Sequence, residues 1–259
     1  MADERSRWGE LADANLAECW SRIGRSAGAA VGASDRCALV ATGIPAAFFN
    51  GAFASGPVAD PDATVAAAVA FMAGHDVPWL LWVREGVDDD LLAAGRRAGL
   101  RDAGGPPGMV LPAIPPIPAA PDELAIAAIS DTDGLAVCRD VMSRGFEMPA
   151  EIADRLVADA ILDDPGVRLV VGWIDATPVS CAMVVVTGAT AGVYNVATPP
   201  EHRRRGYGAA VTWAAIEEGR RSGCDHAALQ ASELGAPVYR SMGFVDVGRY
   251  VQLEGPPAA

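Results

Sequence analysis

Apolar residues along this chain fall into two kinds of pattern: short continuous runs rich in Val, Leu and Ala, and longer stretches where they recur every three or four positions. The first belongs to buried strands and the second to amphipathic helices. The pattern is clearest after residue 122, where it predicts a strand over 123–129 and helices over 131–143 and 150–162, with Pro149 at a tolerated first-turn position. Two β-branched runs, 167–174 and 178–187, flank Asp175, Ala176 and Thr177 and read as a hairpin. A strand over 192–198, a helix over 206–221, a strand over 225–231, a short helix over 236–242 and a last strand over 244–253 complete the order β-α-α-β-β-β-α-β-α-β.

Residues 110–121 hold five prolines in twelve positions and predict an extended connection rather than a packed element. A domain of 1–113, a linker of 114–121 and a second domain of 122–259 follow. The halves read as repeats. Phe48-Phe49-Asn50-Gly51-Ala52 is similar to Val193-Tyr194-Asn195-Val196-Ala197, and Gly99-Leu100-Arg101-Asp102-Ala103-Gly104 to Gly243-Phe244-Val245-Asp246-Val247-Gly248. Between the first-half segments lie a helical run, 64–73, and an apolar strand, 77–83, in the corresponding order.

Composition narrows the function classes. The formal charge is −13, which opposes nucleic-acid binding through the overall field and favours a cationic or neutral partner. No apolar run reaches the roughly 18–20 residues of a membrane helix, and the charged start, Met1 to Arg5, is no secretory signal. A cytoplasmic, membrane-free protein is expected. Five scattered cysteines without CxxC spacing predict free thiols and no zinc site.

The chemistry concentrates in Val196-Ala-Thr-Pro-Pro-Glu-His-Arg203-Arg204-Arg205-Gly206-Tyr207-Gly208-Ala209-Ala210. An Arg/Gly-rich loop between an apolar strand and a helix aims backbone N–H groups at phosphate, and the two glycines admit a pyrophosphate close to the backbone. A Rossmann site would need its glycines after an early strand of a βαβ unit, which the preceding meander of strands does not provide. With its strand ending at Val196, Arg203-x-x-Gly206-x-Gly208 resembles the acyl-CoA motif of the GCN5-related N-acetyltransferase (GNAT) superfamily. Residues 236–244, with Tyr239, are similar to the short helix and final strand of those enzymes. The resemblance covers nearly all of 122–254.

That resemblance implies an α+β fold of two acetyltransferase-like domains in tandem, each a mixed, mostly antiparallel sheet flanked by helices, the first domain degenerate. It implies acetyl-CoA, or another acyl-CoA, as co-substrate, no metal, and a small-molecule amine as acceptor. Val196 and Ala197 would pair with the pantetheine arm, and the Val196 amide would polarise the thioester carbonyl. Amides from Arg204 through Gly206, Tyr207 and Gly208 to Ala209 would hold the pyrophosphate, with the side chains of Arg203, Arg204 and Arg205 near the nucleotide. Tyr239 would protonate the leaving thiolate, and Glu147 and Glu233 are the candidate bases. In the first half Asp60 and Asp62 stand where the arginines would be, so that loop repels phosphate and one of the two caps a helix instead. The expected function is transfer of an acetyl or short acyl group to an amine by direct attack. The alternative is a catalytically silent acyl-CoA-binding regulator. A second copy of the chain is a candidate partner.

Overall fold

A computed structural model describes residues 2–255. It opens with a helix that the sequence reading passed over, α1 (Ala2–Ser26). Ala12, Leu16, Cys19, Trp20 and Ile23 form its apolar stripe and all are buried. The first half continues with β1 (Ala30–Ser34), β2 (Cys37–Ala41), β3 (Asn50–Ala54), α2 (Pro61–Ala73), β4 (Leu80–Arg84), α3 (Asp89–Arg97), β5 (Arg101–Asp102) and β6 (Pro107–Leu111). The second half contains β7 (Ala125–Ile129), α4 (Thr132–Phe146), α5 (Ala150–Leu156), β8 (Val167–Ile174), β9 (Thr177–Thr187), β10 (Thr190–Ala197), α6 (Tyr207–Arg221), β11 (His226–Gln230), α7 (Ala236–Ser241) and β12 (Val245–Glu254).

The helix expected over 150–162 is broken. Val157 leaves helical geometry at φ −128°, and its carbonyl accepts from Arg139 Nε at 2.7 Å instead of continuing the ladder. A 3-10 turn, Asp159–Asp163, follows.

Each half has one parallel pair, β3/β4 in the first and β10/β11 in the second, within otherwise antiparallel pairing. The halves join in one twelve-stranded sheet, and they do so by exchanging their last strands. β6, from the first half, lies between β11 and the start of β12. Reciprocally, the end of β12 lies between β4 and β5. The exchange follows the repeat: Gly99 and Gly243 both turn the chain with positive φ, at 90° and 97°, before the corresponding strands. A boundary at 113/114 therefore does not separate two self-contained sheets, because each sheet is completed by the other half's chain.

α1 clamps this arrangement with two neighbouring positions. Asp13, 1% exposed, accepts from Arg84 Nε on β4 at 3.0 Å and from the Tyr250 hydroxyl on β12 at 2.8 Å. Arg84 also donates to the Val247 carbonyl at 3.1 Å. Two residues on, Asn15 donates to the Val185 carbonyl at 3.0 Å and accepts from Tyr194 at 2.6 Å, both in the second-half sheet. Gly192 is required there: a Cβ would stand 1.6 Å from the Asn15 side-chain oxygen. The largest apolar cluster mixes residues of α1, β3 and β4 with residues of α4, β8 and β9, so the core runs through both halves.

Candidate functional site

The site begins where β10 and β11 part. They pair only from Thr190 to Gly192 against His226 to Ala228; beyond that β11 turns to β6. β10 also slips its register against β9 between Tyr194 and Ala197, and Asn195 there takes a φ of 51°. Such a bulge releases Asn195 and Val196 from the ladder and re-aims them. The buried Ser180 hydroxyl donates to the Ala197 carbonyl at 2.9 Å and lies 2.8 Å from the Thr198 hydroxyl, fixing the end of the strand.

The chain then enters the Arg/Gly loop. Gly206 begins α6 in the left-handed region, φ 82°, and no side chain caps the helix. The first-turn amides of Tyr207, Gly208 and Ala209 have no intrahelical acceptors and carry the positive end of the helix dipole. Arg204 and Arg205 are exposed and make no ion pair among the described residues. The equivalent turn in the first half is closed. Asp60 accepts from the Ala63 amide at 3.0 Å, Pro61 has no N–H to offer, and Asp62 adds a second carboxylate. The expectation of a helix cap in place of a phosphate loop holds there, with Asp60 as the capping residue.

One of the loop residues, Arg203, differs from its expected role. The Arg203 guanidinium is not directed to a nucleotide: it donates to the Thr198 carbonyl at 3.0 Å and to the Gly145 carbonyl at 2.8 Å, tying the loop to the end of α4. The Tyr207 ring is buried and its hydroxyl donates to Glu123 at 3.0 Å, which leaves only its amide for the cradle.

The cleft between β10 and β11 opens into a cavity of about 680 Å³ lined by both halves. Val193, Tyr194, Asn195, Val196 and Tyr239 form the wall of the second half, while Trp20, Phe48 and Trp82 face them from the first. Apolar runs in the first half thus line the pocket as well as fill the core. The Tyr239 ring is half-buried against Phe244, and Gly235 makes room for it, since a Cβ there would be 2.8 Å from the ring. Burial pushes the Tyr239 phenol up to about 12, with Thr212 pulling slightly the other way. Cys19 also borders the cavity, but burial drives its thiol well above the ordinary value and keeps it from being a thiolate nucleophile.

The candidate bases part company. Glu233 lies on the cavity wall. Glu147 does not. It ends α4 at φ 54°, a turn that sends Phe146 and Met148 to the cavity and leaves the carboxylate 71% exposed and 3.8 Å from Arg203. Its expected role as base is withdrawn on that geometry. The sequence reading also missed α1 with Leu16, Trp20 and Ile23, although their spacing of four and three is the ordinary signal of a helix face.

Residues 136–244 match the profile of the Acetyltransferase (GNAT) family. This stretch lies wholly within the C-terminal half, which is therefore similar to a GNAT domain. The whole chain is similar in fold to a GCN5-related N-acetyltransferase from Kribbella flavida, with a TM-score of 0.71 at 19% identity over 93% of this chain and 95% of the other. A tandem GNAT protein from the clavulanic acid biosynthesis pathway aligns with a TM-score of 0.57 at 19% identity, covering 75% and 70%. An acetyltransferase of the GNAT family from Novosphingobium aromaticivorans aligns at 0.56 and 19% identity over 86% and 88%. No curated protein matches the sequence. The fold is two GNAT-like domains in tandem, and the profile match falls within the half whose α6 turn is uncapped. Among the described residues no helix is long and apolar enough to cross a membrane.

Proposed function

We propose that this GNAT protein moves an acetyl or short acyl group from acyl-CoA to the amine of a small molecule. One observation carries the reading: an uncapped, glycine-led helix start sits beside a strand bulge, and that bulge opens into the cavity bordered by Tyr239. The amides of Tyr207, Gly208 and Ala209, with Arg204 and Arg205, suit the pyrophosphate. The edge of β10 freed at Val196 and Ala197 suits the amide-containing pantetheine arm, and the Val196 N–H suits the carbonyl oxygen on which charge develops during attack.

The acceptor amine attacks the thioester carbon as its neutral form, the C–S bond breaks, and the amine gives up one proton. Loss of hydration on entering the cavity disfavours the ammonium form and so lowers the demand on a base. Glu233 is the carboxylate on the wall that can accept the proton, directly or through water. Tyr239, on the same cavity wall, would meet the leaving sulfur. With a phenol at about 12 and a thiol ordinarily near 8.5, full proton transfer is uphill by several kcal/mol. Its contribution is therefore a hydrogen bond donated to the sulfur as negative charge builds, which revises its expected role as a full proton donor.

Tyr239→Phe should lower kcat by about 10²-fold while leaving acetyl-CoA affinity within about twofold. Equal kcat in wild type and variant removes Tyr239 from the chemistry, and acyl-CoA binding without turnover toward any amine favours the silent regulator. Because burial raises the phenol, the alkaline limb of the wild-type kcat profile should show no phenol ionisation near pH 10, only near 12. A phenol titrating at its ordinary value in a pH series would contradict this environment.

A further inference from the structure

The first half has lost its own phosphate turn and gives its surface to the other half's cavity, so the shape and charge of that surface select what enters. Trp20, Phe48 and Trp82 form a continuous aromatic wall: Trp20 meets Phe48 edge-on at 6.0 Å between ring centroids, and Phe48 meets Trp82 edge-on at 5.7 Å. Behind them Phe53 stacks on Trp20 at 5.3 Å, which holds the wall in place. Phe48 remains 51% exposed and Phe146, also on the lining, 47% exposed, although both are large apolar side chains. Trp20 and Trp82 are themselves buried and hold Phe48 edge-on, so the open face of Phe48 is the one that offers the offset or T-shaped contact another aromatic ring favours.

Charge argues in the same direction. The lining holds one carboxylate, Glu233, and one cation, Arg249, which makes no ion pair among the described residues. A polyamine or aminoglycoside would bring several ammonium groups into an aromatic cavity with a single carboxylate and would meet Arg249 as a like charge. The overall charge of −13 lies elsewhere, and an acceptor carrying several positive charges does not fit this cavity.

We infer that the acceptor is an aromatic primary monoamine, its ring held against Phe48, which Trp20 and Trp82 support from behind, and its nitrogen presented beside Val196 and Tyr239. This rests on the acyltransferase reading above and specifies its substrate. An aromatic acyl group on the CoA side is the competing occupant of the same wall. The uncharged ring and the single amine are what the wall and the single carboxylate ask for, and Phe48 is the specificity-determining residue, reached without disturbing the core.

The test uses the full chain. Acetyl-CoA binding is first measured by calorimetry, and acetylation of 2-phenylethylamine and tryptamine is then compared with that of spermidine and kanamycin. Binding of the aromatic amines to CoA-saturated protein is followed by tryptophan fluorescence. The expected result is a kcat/KM at least about 100-fold higher for the aromatic amines. Phe48→Ala should raise their KM about tenfold with kcat and acetyl-CoA affinity unchanged, and Phe48→Tyr should restore it. Protein that binds acetyl-CoA but prefers spermidine or kanamycin overturns the inference and leaves the acyltransferase reading standing. Tight binding of benzoyl-CoA over acetyl-CoA, with aromatic amines neither bound nor acetylated, assigns the wall to the acyl group and also overturns it. Folded protein that binds no acyl-CoA brings down both readings.

Discussion

Expressed alone, residues 114–259 should aggregate and show no cooperative unfolding transition, although they contain the whole stretch matched by the GNAT profile. The fragment lacks β6, and without it β11 has a bare edge along Ala227 to Gln230, the register it shares with Gly108 to Leu111. An apolar edge of that kind is a template for aggregation. It also lacks α1, whose Leu16, Trp20 and Ile23 share one core with Leu135, Met142 and Met183. Circular dichroism and a thermal scan of the fragment against the full chain decide the matter. A monomeric fragment with a sharp transition would show that the exchanged strands are not needed for folding.

The second large effect is at the buried ion pair. Arg84→Met should destabilise the fold by about 3–5 kcal/mol at pH 7, because it strands Asp13 among apolar neighbours. Exposures of 5% for Arg84 and 1% for Asp13 make solvent compensation small. Asp13 is pushed above the ordinary carboxylate range, chiefly by burial, with Arg84 and Tyr250 pulling it back. Removing Arg84 raises it further. A carboxyl whose folded pKa exceeds its unfolded value contributes stability below the unfolded value, about 3.9, and loses it as pH rises toward the folded one. The deficit in Arg84→Met should therefore be smaller at pH 5 than at pH 8, and Asp13→Asn with Arg84→Met should recover a large share of it. Chemical denaturation at the two pH values measures this. A deficit below about 1 kcal/mol, or one that grows on acidification, would contradict the role given to the pair.

Much of the second half was legible because its elements carry single, uninterrupted signals: β-branched runs for β8 and β9, a glycine-led apolar period for α6, Pro149 ahead of α5. The phosphate turn was legible for the same reason, since Gly206 and Gly208 have few other uses between a strand and a helix. Side-chain roles within it were not. Whether Arg203 faces a nucleotide or the Gly145 carbonyl depends on where α4 ends in space, and nothing local to the motif encodes that. The base assignment failed similarly at Glu147, where one left-handed residue turned the carboxylate away from the cavity while its neighbours turned in. The strand exchange lay further from view. β6 runs into the start of the proline-rich stretch and pairs with strands more than a hundred residues later, so a linker read from composition marks where the chain is extended, not where one sheet stops.

The central claim is that the α6 turn of the second half is an acyl-CoA pyrophosphate site. The most direct measurement is calorimetric titration of acetyl-CoA into the wild type and Gly208→Asp. Gly208 has ordinary helical geometry, and the nearest heavy atom to an added Cβ would be the Thr198 hydroxyl at 3.4 Å, an ordinary contact. An acidic residue in the first turn complements the helix dipole, so the variant should melt no earlier than the wild type. The account predicts micromolar binding by the wild type and a loss of at least about 100-fold in the variant. Equal affinity in the two proteins, or no binding by folded wild type, would contradict it.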